Sequence, residues 1–160
     1  MKLTMEGINE ILKDKLHNLV SFLGQITEGF ETLSEDIECT NLKTAIIAVS
    51  VESKQYAEEI SNQLHEFNVA VSFTGAGQLW NRIETSIHEE ASFAKGGEIV
   101  ALCNNCEEYI NKLYEDILQE YFPFKKFKDI ITYQLYATQC AFMKIRLLNS
   151  LRFSSTASVN

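Results

Sequence analysis

Residues that interrupt helices are scarce in this sequence, which has one proline and seven glycines among 160 residues. Because proline removes a backbone donor and clashes with the preceding turn, its near absence favours long helices. No apolar run reaches the roughly 18 residues that a membrane span requires. The N-terminus has no apolar core or small-residue cleavage site, so we expect no signal peptide. These absences predict a soluble cytoplasmic domain with no membrane partner.

Positive charge is also in short supply. The sequence has 14 Lys and Arg against 22 Asp and Glu, a formal net charge of −8 and a pI near 4.9. Phosphate backbones repel such a protein, so we expect no nucleic-acid partner. Four cysteines without an export signal are expected to be reduced thiols. The 46% hydrophobic content suits one domain over residues 1–160.

An apolar periodicity begins at residue 12 after a short predicted N-terminal arm, about residues 1–11. Its members are separated alternately by four and three residues: Leu12, Leu16, Leu19, Leu23, Ile26, Phe30, Leu33 and Ile37. This spacing keeps one face of a helix toward a neighbouring helix and excludes a strand, in which side chains alternate faces. The sequence therefore predicts a first long helix with a single buried face.

Three further long helices are predicted from the same rhythm. The second follows a cap at Thr40 and is antiparallel to the first, since the loop between them is short. The third begins near Glu98, and the fourth begins near Pro123 and ends in a disordered tail, about residues 153–160. The residues of the fourth helix predicted to point inward are Phe127, Ile130, Gln134, Ala137, Ala141, Lys144 or Ile145, Leu148 and Leu151.

The connection between the second and third helices is far longer than a turn needs. It spans about residues 68–97 and is predicted to contain a short helix from about Leu79 to Phe93. Bundles with one such connection have their second and third helices parallel. The predicted fold is thus all-α, a ferritin-like antiparallel four-helix bundle with one long crossover carrying a short extra helix.

Five short stretches resemble those of a known family: Thr27–Phe30, Glu52–Ile60, Gly77–Arg82, Cys106–Tyr109 continuing to Tyr114 and Glu115, and Ile145–Leu148. In these stretches the chain resembles a bacterial ferritin-like family with a domain of unknown function. Its members are four-helix-bundle proteins distantly related to bacterioferritin and rubrerythrin. The resemblance implies the same fold and a stress-related setting, and the family has no settled activity.

Histidine is too rare for the usual chemistry of ferritin-like proteins. Their di-iron sites use a Glu from each of two helices and a Glu-x-x-His motif from each of the other two. The residues three positions before the three histidines are Asp14, Asn62 and Thr85, so the motif does not occur. The fourth predicted helix also has no carboxylate after Asp129. We therefore expect neither a standard di-iron centre nor an enzyme.

The resemblance implies that Glu28, Glu52 and Glu107 are remnants of a metal site. An alternative stays open in which a carboxylate-rich, histidine-poor site binds iron or manganese and supports an oxidase-type activity. In the simpler interpretation these side chains are solvated or pair with Lys and Arg. A buried member would need a partner, for which Gln134 is a candidate.

Cys103 and Cys106 form a Cys-x-x-Cys pair on one face of the third predicted helix. A redox pair normally lies at a helix N-terminus, where the helix dipole stabilises the thiolate, whereas this pair begins more than a turn inside. A zinc site would need two further ligands, of which Cys140 is one candidate. Buried reduced thiols are the favoured interpretation.

Aromatic residues gather around the turn between the third and fourth helices: Tyr121, Phe122, Phe124, Phe127, Tyr133 and Tyr136. Core packing accounts for most of them, and outward-pointing members predict a self-association patch and a homodimer. Three hypotheses about function follow. The chain is a ferritin-like bundle without a working metal site, a carboxylate-based metal protein, or a helical protein-interaction module. The sequence does not identify a small-molecule ligand.

Overall fold

A computed structural model of the chain describes residues 8–67 and 97–159, with side chains described at residues 8–67, 99 and 101–151. This part of the chain folds into four helices: α1 (Glu10–Ser34), α2 (Thr40–Glu66), α3 (Gly97–Leu118) and α4 (Lys125–Val159). The two described ranges contain no strand. The prediction of an all-α chain with four long helices is confirmed.

Helix α1 begins where the Asn9 side chain caps it. The Asn9 Oδ1 accepts a hydrogen bond from the Leu12 backbone N–H at 2.7 Å, which satisfies one of the otherwise unpaired donors of the first turn. The predicted apolar face is buried from Leu12 to Phe30, and Ile37, beyond the helix end, is buried as well. The periodicity therefore identified both the helix and its inward face.

Helix α2 differs from the prediction at its N-terminus. Thr40 is the first helical residue rather than the cap, and the residue in the cap position, Cys39, makes no side-chain capping hydrogen bond. The helix is held by packing instead, because its apolar face is buried from Leu42 to Leu64. The Ser50 hydroxyl also donates to the Thr27 carbonyl at 2.7 Å and joins α2 to α1.

Contacts near the helix ends establish the relative directions of the four helices. Lys15 near the start of α1 pairs with Glu120 just beyond the end of α3 at 2.8 Å, so these helices are antiparallel. The Phe67 ring at the end of α2 lies 5.3 Å from that of Phe124, immediately before α4, so α2 and α4 are also antiparallel. Short loops make α1 antiparallel to α2, and α3 antiparallel to α4. Consequently α2 and α3 run in the same direction on opposite corners of the bundle.

Helix α4 is longer than the sequence predicted. It continues to Val159 and includes most of the residues expected to form a disordered tail. Neither proline nor glycine follows Pro123, so nothing in the sequence stops the helix. The phase of its buried face also differs, because Leu151 was predicted to point inward and is 56% exposed. The buried positions are Phe127, Ile131, Gln134, Leu135, Thr138, Phe142, Ile145 and Asn149.

Two predicted segments lie outside the described residues: most of the N-terminal arm and the crossover with its short helix. Within the described ranges, no helix is long and apolar enough to cross a membrane.

Candidate functional site

The three carboxylates predicted as metal-site remnants lie in different surroundings. Glu28 on α1 is exposed. Glu52 on α2 is partly buried, and burial raises the pKa of its carboxyl despite the opposing charge of Lys144. Glu107 on α3 forms an ion pair with Arg146. The structure does not bring these three side chains together.

Helix α4 separates the two carboxylates that have partners. Lys144 and Arg146 are two residues apart on a helix, so they point to different sides and face Glu52 on α2 and Glu107 on α3 respectively. Within residues 8–67 and the described side chains beyond Gly97, no group of three His, Cys, Asp or Glu could hold a metal ion. Glu107 is thus occupied by an ion pair with Arg146, and Glu52 lies within electrostatic range of Lys144.

The centre of the bundle instead holds a buried amide, Gln134 of α4, which is fully shielded from solvent. Its Oε1 accepts a hydrogen bond from the Tyr114 hydroxyl of α3 at 2.9 Å. Its Nε2 donates to the Glu59 Oε1 of α2 at 2.9 Å and lies 3.3 Å from the Tyr56 carbonyl oxygen. One amide therefore links three helices and has its donor and acceptor atoms satisfied.

Burial dominates the acidity of the phenols around this amide. It raises the pKa of Tyr56 to about 12, and the negative charges of Glu52 and Glu59 act in the same direction. It also raises the pKa of Tyr114 well above its usual range, although a hydrogen bond with Thr138 opposes the shift. Both phenols are neutral at physiological pH, so the Tyr114 hydroxyl acts as a hydrogen-bond donor and not as a base.

Glu59 connects this buried amide to an open groove on the surface. The groove lies between the end of α2 and the start of α4 and has a volume of about 660 Å³. Its wall includes Glu59, Asn62, Lys126, Ile130 and Tyr133. We call it the Glu59 groove. From the sequence, Gln134 was a candidate partner for a buried member of the group Glu28, Glu52 and Glu107. In the structure the Gln134 amide donates to Glu59 instead, which was not predicted as a site residue.

The cysteine pair of α3 is buried and reduced. Cys103 and Cys106 are fully shielded from solvent and form no disulfide. Burial raises the pKa of Cys103 to about 12, against the lowering effect of the Arg146 guanidinium. The pKa of Cys106 is raised well above its usual value by burial and by the neighbouring Cys103. Thiols in this state are poor nucleophiles, as expected for packing residues.

The aromatic group divides between the core and the surface. Phe122 and Phe127 are buried and pack against each other with ring centroids 5.5 Å apart, while Tyr121, Phe124, Tyr133 and Tyr136 are exposed. Exposed apolar residues then continue along the solvent side of α4. We call this row the outer α4 seam and define it as Tyr136, Cys140, Met143, Leu147 and Leu151, spaced as residues on one helix face.

The chain was compared with models of protein families, with curated proteins and with solved structures, and none of the three comparisons gives a match. The family resemblance drawn from the five sequence stretches therefore stays a prediction.

Proposed function

We propose that the protein is a ferritin-like four-helix bundle without a standard di-iron centre that acts as a protein-interaction module and forms a homodimer through the outer α4 seam. Its topology is supported by the common direction of α2 and α3, in which the end of α2 and the start of α3 lie at opposite ends of the bundle and are joined by a long connection. A single long crossover of this kind is typical of ferritin-like bundles. The proposal that the protein forms a homodimer rests on the outer α4 seam.

The exposed area of the seam is comparable to the apolar part of a standard dimer interface. Four of its residues are 56–62% exposed, and with Cys140 they present roughly 500 Å² of apolar surface. Standard interfaces bury about 800 Å² per partner, of which about 60% is apolar. A patch of this size lies near the upper limit for a monomer and is typical of a surface that meets a partner.

The order of residues along the seam is also self-complementary. In an antiparallel pairing of two α4 helices centred between Met143 and Lys144, Tyr136 lies opposite Leu151 of the partner subunit. Cys140 then lies opposite Leu147 of the partner subunit, and Met143 lies opposite Lys144 of the partner subunit, whose aliphatic stem can cover it. No Asp or Glu follows Asp129, so no carboxylate of this region is buried by the pairing.

Sedimentation or light-scattering measurements under reducing conditions test the proposal. We expect a concentration-dependent dimer that Leu147→Glu converts to a monomer. Val51→Glu is the matched control, because Val51 is 59% exposed and Leu147 is 58% exposed, but Val51 lies on α2 outside the seam. If both variants behave alike, or if the unaltered chain is monomeric at every concentration, the seam is not the dimer contact. Loss of the dimer only in Phe124→Asp would move the contact to the aromatic turn.

The absence of a di-iron centre is tested separately by elemental analysis of protein purified without chelators. Because Glu52 and Glu107 face separate cations and Glu28 faces solvent, we expect substoichiometric iron and manganese. One equivalent or more of either metal, lost in Glu107→Ala, would favour the carboxylate-based metal protein instead.

A further inference from the structure

We propose that the Glu59 groove binds a small organic monocation, an ammonium, amidinium or guanidinium group attached to a short apolar body. The groove between α2 and α4 has a volume of about 660 Å³, within the range of roughly 300–1,000 Å³ typical of small-molecule sites. The proposal adds a ligand site to the bundle and does not depend on dimer formation.

Two amides orient the Glu59 carboxylate, one from the core and one from the surface. Its Oε1 accepts from Gln134 at 2.9 Å and its Oε2 accepts from Gln55 at 3.0 Å. Gln134 cannot turn its amide over without loss, because its Oε1 is occupied by the Tyr114 hydroxyl. The carboxylate is therefore held in one orientation before any ligand arrives, which lowers the entropy lost on binding.

The charge of Glu59 is not neutralised by these contacts. Both donors are neutral amides, and an ionised carboxylate has about four acceptor positions, so about two remain for a ligand. Within the described ranges Glu59 forms no salt bridge, whereas the other carboxylate of the groove, Asp129, pairs with Lys125 at 2.9 Å. A charge-assisted hydrogen bond to a cation would use the free positions.

The other residues that line the groove determine which uncharged part of the ligand fits beside Glu59. Tyr133, which is 65% exposed, and Ile130, which is partly buried, both line the groove. An aromatic face attracts a cation and packs against an apolar body. Lys125 and Lys126 also line the groove; Lys125 is paired with Asp129, and the charge of Lys126 opposes any cation and opposes ligands with more than one positive group most strongly. The combination favours a compact monocation over a polyamine.

Benzamidine and its neutral analogue benzamide are suitable probes, since they have nearly the same shape and differ in charge. Titration of the full-length protein, followed by the side-chain amide signals of Gln55 and Gln134 in nuclear magnetic resonance spectra, reports binding at this site. We expect saturable shifts with benzamidine and at least about tenfold weaker binding of benzamide, the factor that a charge-assisted hydrogen bond supplies.

Two variants locate the interaction. Glu59→Gln keeps an acceptor for Gln134 but removes the charge, so we expect benzamidine to bind about tenfold more weakly or worse. Glu58→Gln is the control, because Glu58 is the exposed neighbour outside the groove, and it should bind as the unaltered protein does. Equal binding of the two probes, equal effects of the two variants, or no saturable shift in the folded protein would each overturn the proposal.

Discussion

The two helical hairpins of the bundle bury different kinds of side chain. The α1–α2 hairpin buries mainly aliphatic and aromatic side chains, and two of its buried serines donate to backbone carbonyls, Ser34 to that of Glu31 and Ser50 to that of Thr27. The α3–α4 hairpin buries the thiols of Cys103 and Cys106 and the polar groups of Tyr114, Gln134, Thr138 and Asn149, of which Gln134 also bonds to Glu59 and Tyr56 of α2. The first hairpin therefore depends on packing, and the second depends on hydrogen bonds with a required geometry.

The largest expected effect comes from removing packing in the first hairpin. Leu23 is fully buried, so Leu23→Ala should lower the free energy of unfolding by about 3 kcal/mol, through lost burial and the cavity that remains. Denaturant unfolding measures the change. Ile11→Ala, at a position 60% exposed on the same helix, is the control and should change stability by less than about 0.5 kcal/mol. Similar losses in both variants would contradict the placement of the core.

A smaller loss is expected in the second hairpin when a single hydroxyl is removed. Tyr114→Phe leaves the Gln134 Oε1 buried without its donor, and we expect a loss of about 1–2 kcal/mol with no change in side-chain packing. Tyr109→Phe on the same helix removes an equivalent hydroxyl from a residue 37% exposed and should be nearly neutral. A neutral Tyr114→Phe would mean that the two hairpins do not differ in this way.

A gain is expected at Gly24, in the middle of α1. A Cβ atom built at this position would meet nothing within 4 Å, so Gly24→Ala adds no clash and reduces the entropy of the unfolded chain. We expect the free energy of unfolding to rise by about 0.5–1 kcal/mol. Thermal unfolding at fixed protein concentration tests this. Destabilisation would show that the first hairpin is packed more tightly there than the structure indicates.

The smallest effect concerns Glu52, beside α4. Its pKa is raised in the folded state by burial, so the folded protein binds a proton more readily than the unfolded chain. Stability is therefore highest below the pKa of the unfolded glutamate and falls as pH rises through the folded pKa. Because the side chain is half-exposed and screened, Glu52→Gln should stabilise the protein at pH 7 by only about 0.3 kcal/mol. The difference should vanish near pH 3, and Glu58→Gln should show no such pH dependence.

The sequence predicted α1 and α2 well for a physical reason. Each has one apolar face and polar residues elsewhere, so the periodicity has a single phase, and every predicted inward residue from Leu12 to Phe30 is buried. The signal for the start of α1 was also present, since Asn9 is a residue type that caps helices.

Helix α4 could not be phased in the same way because apolar residues lie on all its sides. Ile130 and Ile131, or Leu147 and Leu148, fit either face, and only contacts with α2 and α3 decide between them. Those contacts bury Ile131 and leave Leu147 and Leu151 exposed. The apolar pattern therefore predicted that α4 is a helix, but it did not predict the rotation of α4 about its own axis.

The candidate groove was beyond sequence reasoning for a related reason. Glu59 is one of several glutamates on α2, and what distinguishes it is a hydrogen bond from a residue 75 positions away. The sequence did show an amide in the middle of a buried face, which requires a partner somewhere. The sequence could not show which carboxylate is the hydrogen-bond partner of this amide.

The buried amide of Gln134 has a consequence for how the chain finds its native state. Because apolar residues lie on all sides of α4, a second way of docking the helix would also bury apolar side chains. Turning α4 by half a revolution would bring Met143 and Leu147 inward and leave the Tyr114 hydroxyl facing hydrocarbon without an acceptor. The hydrogen bonds of Gln134 thus favour the observed rotation of α4 over the rotated one. The outer α4 seam then stays on the surface, where it can contact another molecule.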